Sequence, residues 1–171
     1  RIAPEKNTLY AIEVLKYCKQ NIILDIFGPV YNETYYENCK LAINQLPSNI
    51  VVNYKGVLNH NLLDEHLKDF HVLYLPSTGE NFVHIILEGM TNSCVPVISN
   101  KTPWQNLEEQ KIGFDIDLNK PQKFAEKIDY LAKMNEHQLN ELSNNVYRFA
   151  QTVINDKELK EECKKLFQLN N

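Results

Sequence analysis

Glycine is scarce, with five in 171 residues. The Gly-x-Gly-x-x-Gly fingerprint of dinucleotide-binding domains is absent, and the turn after the first apolar strand reads Gly28-Pro29-Val30. The four cysteines (Cys18, Cys39, Cys94, Cys163) stand far apart with no Cys-x-x-Cys pair. That spacing argues against a zinc site and predicts reduced, mostly buried thiols in a cytosolic protein. His60, His66, His71, His84 and His137 share no ligand spacing such as His-Glu-x-x-His, so no metal is expected. Basic residues are outnumbered 18 to 22, the net charge is −4, and no basic run occurs. This balance argues against a nucleic-acid or general membrane-surface binder, while leaving room for a local phosphate pocket. The apolar runs fall far short of a membrane span, and no signal-peptide pattern is visible.

What is present suits one soluble α/β domain. The chain is 43% hydrophobic and 23% charged, enough for a substantial core. Residues 1–6 read as a loop, and Asn7 as the N-cap of a helix through about Lys19. Ile22 to Phe27 is a strand, residues 34–45 a helix, and Ile50 to Tyr54 a second strand closing at Gly56-Val57. A short helix over 61–68 precedes the strand Val72 to Leu75. Further strands follow at 94–98 and, more weakly, at 112–115. Continuous apolar strands alternating with helices predict a Rossmann-like parallel sheet with helices on both faces. Ligands in such sheets bind beyond the carboxyl ends of the strands. Residues 1–132 form the predicted core, and 133–171 a helical tail. Its helices start at Asn135, with Leu139, Leu142, Val146, Phe149 and Val153 on one face, and again near Leu159.

The organising stretch is Thr78-Gly79-Glu80-Asn81-Phe82-Val83-His84-Ile85-Ile86-Leu87-Glu88. It links the strand at 72–75 to a helix with Val83, Ile86, Leu87 and Met90 on one face. A strand, a short turn and a helix aim free backbone N–H groups at an anion. Glu88 lies about 12 Å along the axis from Glu80 at helical rise, a span that suits a sugar at one end and a ribose at the other. Lys6, just ahead of the first helix, adds a cation next to a second helix start.

The two glutamates eight residues apart, with Arg1…Pro4-Glu5-Lys6, Gly56-Val57, Pro96-Val97-Ile98 and Ser99…Thr102-Pro103-Trp104 in order, resemble the C-terminal domain of the retaining group 1 glycosyltransferases of GT-B architecture. The resemblance runs from residue 1 to about 132 and implies several roles. Glu80 would contact the transferred sugar and support charge at its anomeric carbon. Lys6 and Arg1 would stabilise the departing diphosphate. Thr78, Gly79, Asn81, Phe82 and Val83 would line the phosphates, Glu88 would hold the ribose, and Gly56 and Val57 would sit by the base. The donor would be a UDP-sugar or GDP-sugar, with no cofactor and no metal. Asp115-Ile116-Asp117 reads as a solvated coincidence rather than a metal motif, His84 as a packing residue, and Trp104 as either a cleft wall or a buried anchor. The N-terminal acceptor domain is absent here. So is the sheet's central strand, which in the family lies just ahead of Arg1. The chain is therefore expected to be a fragment that binds donor and transfers nothing alone. The resemblance further implies bacterial polysaccharide biosynthesis in the cytoplasm, with the inner membrane and membrane-associated acceptors reached through the absent domain. The alternatives are half of a nucleotide-sugar epimerase and a non-catalytic nucleotide-sugar-binding module.

Overall fold

The computed structural model describes residues 2–79 and 83–156. Five strands are described: β1 (Ile22–Phe27), β2 (Ile50–Gly56), β3 (Val72–Leu75), β4 (Val95–Ser99) and β5 (Phe114–Ile116). All pair in parallel, but as two sheets. In the first, β1 lies on β2 with Ile22 opposite Ile50 and a register irregularity at Ile26/Phe27. In the second, β4 lies between β3 and β5, with Val72 opposite Val95 and Val97 opposite Phe114. No ladder joins β1 to β3.

Helices connect β1 to β2, β2 to β3 and β3 to β4 as the sequence predicts, with local corrections, while β4 reaches β5 through turns alone. α1 (Thr8–Val14) is shorter than the apolar pattern suggested and tightens into one 3-10 turn, Leu15–Tyr17. Asn7 does not cap it: its backbone is left-handed (φ 57°) and its side chain turns away to the carbonyl of Pro76. α2 (Glu33–Ile43) starts one residue early, because Asn32 accepts the N–H of Tyr35 as a true N-cap. α3 (Leu63–Leu67) is short, and α4 (Val83–Thr91) follows the organising stretch. α5 (Pro121–Ala132) begins on its proline, where a missing N–H costs nothing. α6 (Glu136–Asn155) opens with a reciprocal capping box between Asn135 and Gln138. The expected helix near Leu159 lies outside the described residues.

The main core joins α1, α4, α5 and α6 to β4 and β5 around fully buried Phe124, Ile86, Met90 and Val146. Tyr10 meets the Phe124 ring edge-on at 5.9 Å, and Tyr74 meets it tilted at 6.1 Å. β4, paired on both sides, is buried at all five positions, whereas β3 is half-buried at all four. Gly113 (φ 147°) lets the last strand approach β4: a Cβ there would lie 2.6 Å from the Pro96 carbonyl. β5 starts at Phe114, just after this glycine, rather than at Ile112. The tail helix α6 is part of this core, with Val146 and Ala150 fully buried.

Candidate functional site

A cavity of about 750 Å³ opens between β1 and β3. Lys6 and Thr8 from the start of α1, Asp25 from β1, and His84, Ile85 and Glu88 from α4 all line it. Helical spacing explains the last set: positions 84 and 88 are one turn apart on one face. Lys6 ends a 3-10 turn, Pro4–Lys6, with proline fixing the first residue.

Two tertiary links hold the start of α1 against the chain leaving β3. The Asn7 side-chain amide donates to the Pro76 carbonyl at 2.9 Å. The Thr78 hydroxyl donates to the Glu5 carbonyl at 3.1 Å, with its backbone N–H on the same oxygen at 3.4 Å. Lys6 thus follows directly on Glu5, whose carbonyl is bonded to Thr78. Leu9 N–H reaches the Tyr35 hydroxyl at 2.9 Å, tying α1 to α2 as well. Burial raises the Tyr35 pKa, and the hydrogen bond from Leu9 opposes part of that rise.

The sequence-derived residues divide into four sets. Lys6 and Glu88 both line the cavity. Arg1, Glu80, Asn81 and Phe82 lie outside the described residues. Val83 opens α4, and Thr78 and Gly79 are exposed on the approach to it. Gly56 and Val57 do not line the cavity: Gly56 ends β2, the strand beyond β1, where its carbonyl accepts the Gly28 N–H at 2.8 Å. Val57 is exposed. His84 is exposed and lines the cavity rather than packing in the core. Trp104 packs on Phe149 of α6 at 6.2 Å and does not wall the cavity. Asp115 serves the backbone, accepting the N–H groups of Leu107 (2.8 Å) and Asn106 (3.2 Å). Asp117 does the same for Asn119 at 2.9 Å. Cys18, Cys39 and Cys94 are free and buried, and Cys163 lies outside the described residues. Among the described residues no group of three or more His, Cys, Asp or Glu is placed to hold a metal ion, and no helix is long and apolar enough to cross a membrane.

Sequence reasoning missed Asp25, although a lone carboxylate inside the run Ile22-Ile23-Leu24-Asp25-Ile26-Phe27 was a visible signal. Its Oδ1 accepts from the Asn53 side chain at 2.7 Å, and Lys55 lies 3.5 Å from its Oδ2. Polar atoms also gather at the carboxyl ends of the other sheet. Ser77 Oγ, on a fully buried residue after β3, and Asn100 Oδ1, after β4, have no hydrogen-bond partner among the described residues. Buried polar atoms are normally satisfied, so such orphans mark places where a partner group fits.

Three comparisons with known proteins follow from this geometry. The family model described as "Glycosyl transferases group 1" matches residues 1–149. A search of curated proteins found no match. Among solved structures, the catalytic domain of a cholesterol-alpha-glucosyltransferase from Helicobacter pylori superposes with TM-score 0.68 at 23% identity, over 88% of this chain and 92% of that one. A Staphylococcus aureus TarM mutant crystallised with UDP gives TM-score 0.75 at 20% identity, over 100% of this chain and 34% of that one. Anabaena HepE in complex with UDP-glucose gives 0.75 at 15% identity, over 98% of this chain and 46% of that one. At these identities the likeness establishes the fold, the Rossmann-like half of a GT-B architecture. The chain spans less than half the length of the latter two proteins.

Proposed function

The chain belongs to the group 1 glycosyltransferases, and from that membership we propose that it is the donor-binding half of a retaining enzyme that moves a sugar from a nucleoside-diphosphate sugar to an acceptor in bacterial polysaccharide assembly. The observation that carries this reading is that Lys6 and Glu88 line one cavity, with the start of α1 tied to the chain leaving β3. The UDP and UDP-glucose held by two structural neighbours support a uridine donor.

The chemistry follows from charge. As the glycosidic bond to the donor breaks, negative charge grows on the departing diphosphate and positive charge on the anomeric carbon. In this reading Lys6 stabilises the first, together with Arg1. A preorganised cation in a cavity acts on the transition state more than on the ground state. Glu80 orients the sugar and supports the second charge, while Thr78, Gly79, Asn81, Phe82 and Val83 follow the phosphates. Glu88 accepts hydrogen bonds from the ribose hydroxyls. Retention by a front-face route needs no protein nucleophile, and the acceptor is bound by a second domain. The chain alone therefore binds donor without transferring sugar.

Calorimetric titration of UDP and GDP into the wild type and Glu88→Ala tests this. Saturable binding of one nucleotide is expected, weakened in the variant by about 1–3 kcal/mol, the cost of a lost buried hydrogen bond. A folded wild type that binds neither nucleotide overturns the reading.

A further inference from the structure

Helix α4 carries two pairs of residues, each pair one turn apart, on opposite faces. Ile86 and Met90 are fully buried and pack in the main core. His84 and Glu88 line the cavity. Two residues along a helix turn it by about 200°, so burial of the first pair turns the second pair away from the core. His84 is exposed, and core packing does not account for its ring. Nor does the helix call for it, since histidine forms helix less readily than leucine or alanine.

Position along the helix matters as much as face. α4 begins at Val83, so His84 lies in the first turn, where backbone N–H groups point out of the helix end toward an anion. Glu88 is about 6 Å further along the axis at helical rise. With the phosphates along residues 78–83 and the ribose at Glu88, His84 falls between the two, at the diphosphate. Lys6 lines the same cavity from the turn Pro4–Lys6.

We propose that His84 is a diphosphate-binding residue whose imidazole holds the donor in its protonated form, so that the donor binds together with one proton from solvent and more tightly at low pH. This rests on the nucleotide-sugar reading of the site and adds to it a side chain and a pH dependence. The diphosphate carries two negative charges, which favour the protonated ring. The gain in affinity is fully present at pH values below the imidazole range, near 6.5, and is lost as pH rises through it. Among the described residues, the other ionisable groups on the cavity wall are Lys6, Asp25 of β1, Tyr74 of β3 and Glu88 of α4 itself; α1 and α3 contribute none. Carboxyls ordinarily titrate near about pH 4 and lysine near about 10.4, and burial raises Tyr74 well above its usual range. The window near pH 6.5 is left to the imidazole.

Isothermal titration of UDP-glucose into the wild type and His84→Gln at pH 5.5 and pH 8.5 tests this. UDP-glucose has no phosphate monoester, the group whose second proton leaves near about pH 6, so the donor itself does not titrate in the window. The wild type binds roughly tenfold more tightly at pH 5.5 than at pH 8.5, and His84→Gln binds equally at both. Titration at pH 7 in two buffers of different ionisation enthalpy shows a fraction of a proton taken up per donor by the wild type and none by the variant. His84→Lys, charged at both pH values, binds without a pH slope and serves where His84→Gln does not fold. Equal wild-type affinity at the two pH values, or a slope retained in the variants, overturns the assignment and leaves the donor site standing. A folded wild type that binds UDP-glucose at neither pH overturns the donor reading and this proposal with it.

Discussion

The side chain of Asn7 and the carbonyl of Pro76, 69 residues apart, form a 2.9 Å hydrogen bond that joins the start of α1 to the end of β3. Asn7 holds a left-handed backbone to do so (φ 57°). Asparagine tolerates that region better than most residues, and glycine best. Replacement by glycine should cost only the bond, about 1 kcal/mol. Replacement by alanine should cost the bond plus backbone strain, about 2 kcal/mol or more. Urea unfolding of the two variants checks this, and equal losses would show that the left-handed backbone carries no cost.

Gly113 and Gly89 make a matched pair. A Cβ on Gly113 would lie 2.5 Å from Pro96 Cγ and 2.6 Å from the Pro96 carbonyl oxygen, at φ 147°. Backbone cannot yield as a side chain can, so Gly113→Ala should destabilise by about 3 kcal/mol and loosen β4–β5 pairing. A Cβ on Gly89 would meet Leu73 Cδ2 at 2.8 Å, the far end of a side chain, but also Leu73 Cβ at 3.2 Å, which moves only with the backbone of β3. Alanine gains about 1 kcal/mol of helix propensity, which offsets part of that crowding. Gly89→Ala should therefore destabilise by about 1–2 kcal/mol by thermal unfolding, less than Gly113→Ala.

Why the fold was legible and parts of the site were not follows from these positions. Strand placement came from continuous apolar runs, and the starts of α5 and α6 from Pro121 and Asn135, because these signals are local. Asn7 carried the same local signal for a cap, but a partner 69 residues away claimed its side chain. Asp115 reads from sequence as a solvated coincidence rather than a metal ligand, but its part in accepting the N–H groups of the Asn106–Leu107 turn is a packing relation that local pattern does not show. His84 and Glu88 fall on one face by helical spacing, yet which face meets the cavity depends on packing of α4 against the distant α6 and β4. The split between β1 and β3 concerns strand order, which local pattern does not encode.

The buried thiols give a pH prediction. Burial pushes Cys18 up to about 12, with the Asp129 carboxylate adding to it, and Cys39 and Cys94 up to about 11. An unfolded thiol titrates near 8.5. The folded values are raised, so the stability is fully present below about pH 8.5 and is lost as pH rises through 11–12. At pH 8 these three cysteines should resist alkylation in the native protein and react on unfolding, read by mass spectrometry of each peptide. The urea midpoint should fall between pH 8 and pH 10, and less so in Cys39→Ala than in the wild type. Rapid alkylation of native Cys18 would contradict its burial.

Lys6 should act on nucleotide binding chiefly through charge. Lys6→Gln should weaken UDP binding by about tenfold at low salt, and by less near 1 M salt, where the Debye length is about 3 Å. Lys6→Arg should restore most of the loss if a point charge suffices. Isothermal titration at two ionic strengths separates these cases. A salt-independent loss would assign Lys6 a structural part in the turn Pro4–Lys6 instead.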